Sequence, residues 1–401
     1  MNEVVQFIKE KEEEMIEVLR ELVEMESPSR DKDLTDQISQ KVAGLFEQLT
    51  GGQSSIILNQ PFGNHIRGEW GEGEKQILLL AHFDTVWPKG TIETMPFTIK
   101  DGKAFGPGVF DMKGGLVQGL FALHALNQLA RPLLHKVVFL FTSDEEIGSP
   151  TSRELIEKEA GYSEYVFVLE PGMTTEGAIK TARKGVGMFQ LEIKGKPAHA
   201  GVDPEKGRSA IEEMAKQVSY LHSLTDFEKG TTVNVGKMEG GTTSNVVAAK
   251  ANAEIDLRVK TEKEFARIVP LINSIESFMD GVEVHISGGI NRPPLERTEE
   301  VVQLYKRAQG LAKKYLDIDL QEKETGGGSD GNFTAPFAPT IDGLGAVGDG
   351  AHASHEHLII AEMTRRSALV AMLLMDLSQN NVKEEKQNGS NARFCSTNVN
   401  Q

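Results

Sequence analysis

Residues 77–84 read Ile-Leu-Leu-Leu-Ala-His-Phe-Asp, and the predicted fold is built outward from this stretch. A continuous apolar run is typical of a strand that is buried on both faces of a parallel sheet. The run ends at His82 and Asp84, whose side chains point the same way because residues i and i+2 share one face of a strand. Imidazole is a ready metal ligand, and a neighbouring carboxylate often fixes its tautomer. A hydrogen-bonded turn explains the pair equally well when the stretch is taken alone.

Two further apolar stretches end in acidic residues. Residues 136–142 lead into Glu145 and Glu146, and residues 166–169 lead into Glu170. Because such strands alternate with amphipathic helices, we predict an α/β fold with a mostly parallel mixed sheet flanked by helices. Ligands of such sheets bind outside the carboxyl ends of the strands, where all of these side chains are expected.

A glycine-rich loop at residues 106–115 carries Asp111 and precedes a helix at residues 116–129. Loops of this kind can cradle phosphates, but the terminal Gly-Lys-Ser/Thr of a phosphate-binding loop is absent here. The small residues instead favour a close approach of Asp111 to a bulky or charged group.

Carboxylates gathered at one sheet edge repel one another and resist burial unless a cation is bound. One or two divalent metal ions supply that charge, and histidine and carboxylate ligands without thiols suit zinc, with cobalt or manganese as alternatives. Glu145 and Glu146 point to different sides of the chain, so one can bind metal while the other acts as a general base. A solvated acidic rim is the alternative interpretation of the same residues.

The pattern of residues changes near position 183 and changes back near position 292. We predict that residues 1–182 and 292–380 form a catalytic domain, and that residues 183–291 form a smaller α+β domain inserted into it. Residues 381–401 are polar and rich in Asn, Lys and Glu, which predicts a disordered tail.

Composition argues against several classes of protein. The 401 residues carry a formal net charge of −16, whereas a nucleic-acid binder normally shows a basic footprint. Cys395 is the only cysteine, which excludes a disulfide framework within the chain and favours a reducing compartment. The N-terminus lacks the apolar core of a signal peptide, and no segment approaches the ~20 apolar residues of a membrane span. We expect a cytoplasmic protein without a membrane or nucleic-acid partner.

Several of these segments resemble the di-zinc exopeptidase and deacylase family, which includes glutamate carboxypeptidase (carboxypeptidase G), acetylornithine deacetylase, succinyl-diaminopimelate desuccinylase and aminoacylase. The matching segments stand in the family's order at residues 81–86, 106–115, 144–149 and 169–171. The resemblance covers nearly all of the chain except the tail and is closest to glutamate carboxypeptidase. It implies a zinc-exopeptidase-like catalytic domain, an inserted lid and dimerisation domain, and a homodimer.

The resemblance also implies two zinc ions per subunit. The ligands that it implies are His82 and Glu170 for one ion, Glu146 for the other, and Asp111 as the bridge. Asp84 resembles the residue that orients His82, and Glu145 resembles the base that activates the bridging water. Dipeptidases and aminopeptidases of the family tend to have Asp in place of Glu170, so this residue favours a carboxypeptidase or a deacylase.

Three histidines compete for the remaining metal position, and they are His352, His355 and His357. The family pattern places its last ligand shortly before a glutamate and an apolar strand. His352, four residues before Glu356, fits this pattern best. The alternative for His355 and His357 is a surface imidazole.

The inserted domain carries three residues that resemble substrate contacts. His199, in a Pro-Ala-His-Ala-Gly loop, resembles the histidine that reaches the partner subunit's site and stabilises the oxyanion. Asn245 resembles an amide contact to substrate, and Arg258 is an alternative contact for an anion. Without the resemblance, these residues are a loop histidine, a turn asparagine and a solvated arginine.

A substrate carboxylate requires a cationic anchor. Arginine binds carboxylates bidentately, which makes Arg292 the first choice. Gly328, in the glycine-rich loop at residues 326–331, is expected to return near the same site. A structural salt bridge explains Arg292 equally well, and the alternative anchors are Lys180, Arg183 and Lys184.

These expectations together describe a zinc-dependent hydrolase that cleaves an amide bond adjacent to a free α-carboxylate in a small peptide or N-acyl amino acid, as glutamate carboxypeptidase does. An N-acyl-amino-acid deacylase, such as acetylornithine deacetylase, is the near alternative because the same site serves both reactions. A non-catalytic metal-binding scaffold is the alternative from another class. The retention of Glu145 argues against that scaffold.

Overall fold

A computed structural model describes residues 1–394 of the protein, and the side chains of residues 1–378. The chain folds into two compact units. The first contains Met1–Thr181, Arg297–Lys323 and the described residues from Ser329 onward, and the second contains Ala182–Glu296 and Glu324–Gly328. The second unit therefore extends beyond the predicted boundary at residue 291, and it includes a later segment that the sequence did not assign to it. The catalytic and lid roles of the two units stay predictions.

The order of strands and helices is that of an α/β chain interrupted by an α+β segment. The strands of the described residues are β1 (Gln53–Ile57), β2 (His65–Trp70), β3 (Lys75–His82), β4 (Thr98–Lys100), β5 (Lys103–Phe105), β6 (His135–Thr142), β7 (Ser163–Val168), β8 (Ile179–Arg183), β9 (Gly185–Lys194), β10 (Thr232–Gly240), β11 (Lys250–Val259), β12 (Glu283–Arg292), β13 (Glu322–Thr325), β14 (Thr340–Asp342), β15 (Gly348–Asp349) and β16 (His357–Ile359). The helices are α1 (Asn2–Glu10), α2 (Glu12–Glu24), α3 (Lys32–Thr50), α4 (Thr91–Thr94), α5 (Gly114–Gln128), α6 (Arg153–Gly161), α7 (Ala210–Ser223), α8 (Glu262–Asn273), α9 (Glu299–Leu311), α10 (Gly331–Thr334) and α11 (Ile360–Phe394).

The largest sheet has eight strands in the order β1-β2-β6-β3-β7-β14-β8-β13. Its centre is parallel, because β6, β3, β7 and β14 all run the same way. β2 is antiparallel to β6 on one side, and β8 is antiparallel to β14 on the other. A small sheet in the order β15-β16-β5-β4 accompanies it. The predicted α/β fold with a mixed sheet is confirmed.

Strand β3 is the centre of this sheet, and seven of its eight residues are buried. Ile77, Leu79 and Ala81 pack into the larger hydrophobic core, to which α5 and α11 contribute. Leu78 and Leu80 pack into a second core with residues of α6 and α10. The continuous apolar run is therefore explained by burial on both faces of the sheet.

Helix α5 begins directly after the loop that holds Asp111, and it lies against the chain that follows β7. Gly115 is so near the carbonyl oxygen of Leu169 that a Cβ atom at this position would overlap with it. The absence of a side chain lets the helix approach the sheet. This close approach places Asp111 and Glu170 at the same edge.

The second unit contains an antiparallel sheet in the order β10-β11-β9-β12. Alternate residues of β9, namely Phe189, Leu191 and Ile193, are buried in a core with residues of α7 and α8. Such alternation is typical of a sheet with one face packed on helices. The predicted α+β character of the insert agrees with this arrangement.

Helix α11 continues to Phe394, although the sequence predicts a disordered tail from residue 381. The residues at 383–387 are Lys, Glu and Gln, which have high helix propensity. Residues 395–401, the rest of the predicted tail, lie outside the described residues. None of the described helices is long and apolar enough to cross a membrane.

Candidate metal centre

The carboxyl ends of neighbouring parallel strands bring the predicted metal ligands together. His82 ends β3, Glu145 and Glu146 follow β6, and Glu170 follows β7. Because β6, β3 and β7 lie side by side, their ends open to one edge, which Asp111 reaches from the loop before α5. Two groups have all their potential ligand atoms within 4.8 Å of one another: His82 with Glu145 and Glu170, and His82 with Asp111 and Glu146.

Asp111 lies between two imidazoles. Its Oδ1 is 3.5 Å from Nε2 of His82, and its Oδ2 is 3.5 Å from Nε2 of His352. Oε1 of Glu170 lies 3.6 Å from the same nitrogen of His82, and Oε2 of Glu146 lies 3.1 Å from the same nitrogen of His352. The cluster therefore has two halves, His82 with Glu170 and His352 with Glu146, which share Asp111.

Of the three late histidines, only His352 joins this cluster. It lies in a turn after β15 with a φ of +61°, and its side chain is half-exposed. The Nδ1–H of His357 donates to the carbonyl oxygen of His355 at 2.9 Å, and the His357 ring packs against Phe105. This contact holds the His357 ring in its own turn, away from the acidic cluster.

Asp84 links the two strand ends that carry the cluster. The Nδ1–H of His82 donates to the main-chain carbonyl of Asp84 at 3.0 Å and lies 3.4 Å from its Oδ1, which leaves Nε2 of His82 facing the carboxylates. The backbone N–H groups of Glu145 and Glu146 donate to the Asp84 carboxylate, each at 3.2 Å. Asp84 is fully buried, so these contacts are shielded from solvent. Asp84 thus orients the imidazole of His82 and the backbone of both glutamates.

Two residues that support the cluster were not predicted from the sequence. The Ser29 hydroxyl donates to Oδ2 of Asp84 at 2.7 Å. Glu356, which served only as a landmark for His352, is buried and accepts hydrogen bonds from the backbone of the Asp111 loop. The only sequence signal for Ser29 is the Ser-Pro-Ser stretch that follows α2, and the pairing of Ser29 with Asp84 depends on tertiary structure.

The charges of the cluster shift one another's pKa values. Burial alone would raise the pKa of Asp111, but contacts with His352 and His82 lower it well below its usual value. Contacts with Asp111 and Glu146 raise the pKa of His352 to about 10. Burial would lower the pKa of His82, but Asp111 and Asp84 raise it well above its usual value. The two imidazoles and Asp111 therefore favour one another's charged forms.

The donor set fits a divalent metal ion. It offers imidazole nitrogens and carboxylate oxygens without thiolates, which suits zinc and related ions. Oδ1 of Asp111 is buried and has no hydrogen-bond partner among the described residues. An unsatisfied buried carboxylate oxygen is costly, and a bound cation removes that cost.

Within the second unit, the loops of His199 and Asn245 lie together. The backbone N–H of Ala200 donates to the carbonyl of Asn245 at 2.9 Å. Nδ1 of the exposed His199 accepts a hydrogen bond from the N–H of Gly201 at 3.1 Å. The proton of the neutral ring is therefore on Nε2, which makes that atom a donor. Oδ1 of Asn245 accepts from the Thr243 hydroxyl at 3.0 Å.

The predicted anchor Arg292 is 5% exposed and lies against Gly328 in the same unit. Arg258 makes three hydrogen bonds to Asp256, so its charge already has a partner. Its Nη1 also donates to the carbonyl of Gly326 at 3.4 Å. The Arg258 side chain is 31% exposed, so it is the more accessible of the two predicted arginines.

The alternative anchors have structural contacts of their own. In the first unit, Nζ of the buried Lys180 lies 3.8 Å from Oδ1 of Asp342. In the second unit, Arg183 donates to the carbonyls of Gly327 and Gly328 at 3.1 and 3.0 Å. Burial and the neighbouring Lys260 lower the pKa of Lys184, which lies between β8 and β9.

The sequence model of Peptidase family M20/M25/M40 matches residues 78–376. The chain belongs to this family. Carboxypeptidase G2 of Pseudomonas sp. (strain RS-16) is 31% identical to this M20 chain over 320 residues, which are 79% of the chain and 77% of that protein. Acetylornithine deacetylase of Myxococcus xanthus is 26% identical over 332 residues, which are 76% of the chain and 81% of that protein.

Among solved structures, aminopeptidase PepT of Bacillus cereus ATCC 10987 resembles the M20 chain with a TM-score of 0.73 at 24% identity, over 91% of this chain and 98% of that one. This likeness confirms the predicted fold. The match to the M20 family also confirms the resemblance seen in the sequence. The chain is a hydrolytic enzyme, and the non-catalytic scaffold is thereby set aside.

Proposed function

We propose that this M20 enzyme is a di-zinc carboxypeptidase that hydrolyses an amide bond next to a free α-carboxylate, like glutamate carboxypeptidase. The observation that carries the proposal is the position of Asp111, whose two oxygens each lie 3.5 Å from a different imidazole nitrogen. The identity of 31% to carboxypeptidase G2 supports the substrate class, a small peptide or N-acyl amino acid.

Five residues of the cluster would hold two ions. His82 and Glu170 would hold one ion, Glu146 and His352 would hold the other, and Asp111 would contribute an oxygen to each. Zinc suits these donors, and Co²⁺ and Mn²⁺ are alternatives. When bound, the metal ions polarise a carbonyl and lower the pKa of water.

Glu145 is proposed as the general base and then the general acid. Its carboxylate takes a proton from the attacking water, and the water oxygen forms a bond to the amide carbon. The same proton passes to the leaving nitrogen as the C–N bond breaks. The backbone N–H of Glu145 is fixed by Asp84 at 3.2 Å, which supports a defined position for this side chain.

His199 is proposed as the donor that stabilises the oxyanion, supplied by the second subunit of a homodimer. Its side chain is exposed, and the hydrogen bond from Gly201 leaves Nε2 as the protonated nitrogen. A preorganised donor of this kind stabilises charge that develops in the transition state. The inserted unit would then act as the lid and dimerisation domain.

Substrate binding is proposed for four further residues of the second unit. Arg292 is the proposed anchor of the α-carboxylate, because a guanidinium can bind it bidentately. Asn245 and Arg258 are proposed as polar contacts, and Gly328 as a place where the backbone approaches the substrate. The shared location of Asn245 and His199 on paired loops supports this assignment.

Deacylation of an N-acyl amino acid is the second candidate reaction. It is favoured by the 26% identity to acetylornithine deacetylase over 76% of the chain. Both reactions use the same amide chemistry, so the two differ in the part of the substrate that is recognised.

A substrate panel tests the proposal. Protein loaded with Zn²⁺ or Co²⁺ is given N-acyl-glutamate, a folyl-type glutamate, N-acetylornithine, and an acyl-glutamate whose α-carboxylate is an amide. We expect release of glutamate from the first two and little hydrolysis of the α-amide. Preferred hydrolysis of N-acetylornithine would contradict the carboxypeptidase proposal and support the deacylase. Absence of hydrolysis of every substrate in the panel would contradict both proposals.

We also propose a cytoplasmic location. Cys395 is the single cysteine among 401 residues, which suits a reducing compartment. Cell fractionation with an antibody to the protein would test this, and recovery outside the cytosolic fraction would contradict it.

A further inference from the structure

Glu356 is a buried carboxylate that four N–H groups surround. Its Oε2 accepts from Nε1 of Trp87 at 2.8 Å and from the backbone N–H of Gly108 at 3.0 Å. Its Oε1 accepts from the backbone N–H groups of Phe110 at 3.0 Å and Asp111 at 3.1 Å. The side chain is 0% exposed, and its charge acts on the buried Lys113, whose ammonium form it favours.

The chemistry of these contacts favours an ionised carboxylate. An ionised carboxylate only accepts hydrogen bonds, so it can satisfy all four donors at once. The four hydrogen bonds therefore fix the carboxylate and its donors relative to one another.

The donors to Glu356 lie on segments that carry the metal cluster. Trp87 stands three residues after Asp84, and Gly108 begins the turn that leads to Asp111. Glu356 itself follows His352 by four residues. Glu356 therefore links the segment after β15, on which it lies, to the segments after β3 and before α5.

The Asp111 loop depends on such an external partner. Gly108 has a φ of +71°, which only glycine adopts readily, and Asp111 itself has φ and ψ of −114° and 96°, outside the helical range. The N–H groups of Phe110 and Asp111 therefore donate to a side chain of another segment rather than to the chain before them.

We propose that Glu356 is a positioning residue that fixes the backbone of Asp111, and with it the shared carboxylate, relative to His82 and His352. This inference rests on the proposed dinuclear site. Glu356 would hold the metal ligands in position before the metal binds, and it would touch neither the metal nor the substrate. Residues behind metal ligands typically change metal affinity by about 10–100-fold when they are mutated.

The substitution Glu356→Gln tests this role with little change of shape. A glutamine offers one acceptor oxygen and one NH₂ group, so the NH₂ must face two of the four donors. We expect the affinity of the metal-free protein for Co²⁺, measured by visible absorption against a competing chelator, to fall by about 10–100-fold. Wild-type affinity and stoichiometry in this variant would overturn the inference.

Glu159→Gln is the matched control. Glu159 is 5% exposed, lies in the same unit and accepts hydrogen bonds from Arg67 and Gln76, without contact to the cluster. We expect this variant to unfold at lower urea concentration in the metal-free state while its Co²⁺ affinity stays at the wild-type value. An equal loss of Co²⁺ affinity in both variants would reduce Glu356 to a general structural residue and overturn the inference.

Trp87→Phe decides the question if Glu356→Gln does not fold. It removes one donor at Oε2 of Glu356 and keeps an aromatic ring. We expect a several-fold loss of Co²⁺ affinity, and an unchanged affinity would overturn the inference.

The two proposals fail differently, because a wild-type protein that binds no Co²⁺ contradicts the dinuclear site itself. A wild-type protein that binds two ions, with variants that bind them equally well, contradicts only the role of Glu356.

Discussion

Oδ2 of Asp111 lies 3.5 Å from Nε2 of His352, although the two residues belong to distant segments of the chain. The other oxygen of Asp111 lies at the same distance from His82. A single carboxylate therefore connects both halves of the cluster, and the loss of either histidine should affect one half more than the other.

His352→Ala should lower the zinc content from two ions per chain to about one, because carboxylates alone seldom complete a zinc site. The control is His355→Ala, since His355 lies two residues before His357 and accepts its hydrogen bond through a main-chain carbonyl that the substitution keeps. Metal content is measured by elemental analysis after equilibration with a small excess of zinc and removal of the unbound metal. Two zinc ions per chain in His352→Ala, or equal losses of zinc in both variants, would contradict the assignment of His352 as a metal ligand.

Ser29→Ala should destabilise the protein more than Ser27→Ala. Ser29 donates to the buried carboxylate of Asp84 at 2.7 Å, whereas Ser27 donates to the neutral carbonyl of Phe83 at 2.6 Å. Hydrogen bonds to charged groups contribute about 1.5–3 kcal/mol and neutral ones about 0.5–1.5 kcal/mol. Urea unfolding of the metal-free variants measures the difference, and equal losses would show that Asp84 does not depend on Ser29.

Gly115→Ala should disturb the site because the new methyl group meets the carbonyl oxygen of Leu169, next to Glu170. Forced contacts of this kind typically cost about 1–3 kcal/mol. Gly310→Ala is the control in α9, where a Cβ atom meets nothing within 4 Å. It should stabilise the protein by about 0.4–1 kcal/mol. Thermal unfolding distinguishes the two, and a neutral Gly115→Ala would show that the close approach is not required.

Mixing two inactive variants should restore activity if His199 acts from the second subunit. In a heterodimer of His199→Ala and Glu145→Gln chains, one site combines an intact Glu145 with an intact His199. Random exchange of subunits makes half of the dimers mixed, and each mixed dimer has one working site of its two. If His199 supplies most of the oxyanion stabilisation, we therefore expect about a quarter of the wild-type rate. No recovery, with exchange verified by mass spectrometry, would place His199 within its own subunit or outside catalysis.

The sequence indicated the parts of the site that follow strands and could not indicate those that depend on tertiary contacts. The buried run before His82 and the acidic residues after β6 and β7 lie where parallel strands must end, so their proximity was predictable. The choice of His352 needed a resemblance, because nothing in local spacing separates it from His355. Ser29 acts only through a partner that the fold brings to it, as Glu356 is proposed to do.

The domain boundary illustrates the same limit. Residues 183 and 292 mark changes of pattern, but Glu324–Gly328 joins the second unit through contacts of Arg183 with the glycine carbonyls. A glycine-rich segment has no periodicity from which such an assignment could be made.

Glu145→Gln tests the central claim most directly, because it removes the proposed base and keeps the shape of the side chain. Zinc content and the rate of glutamate release from N-acyl-glutamate are measured on the same preparation. We expect two zinc ions per chain, as in the wild type, with a rate that falls by about 10²–10⁴-fold. Wild-type turnover by a Glu145→Gln protein that holds two zinc ions per chain would contradict the role of Glu145 as the general base.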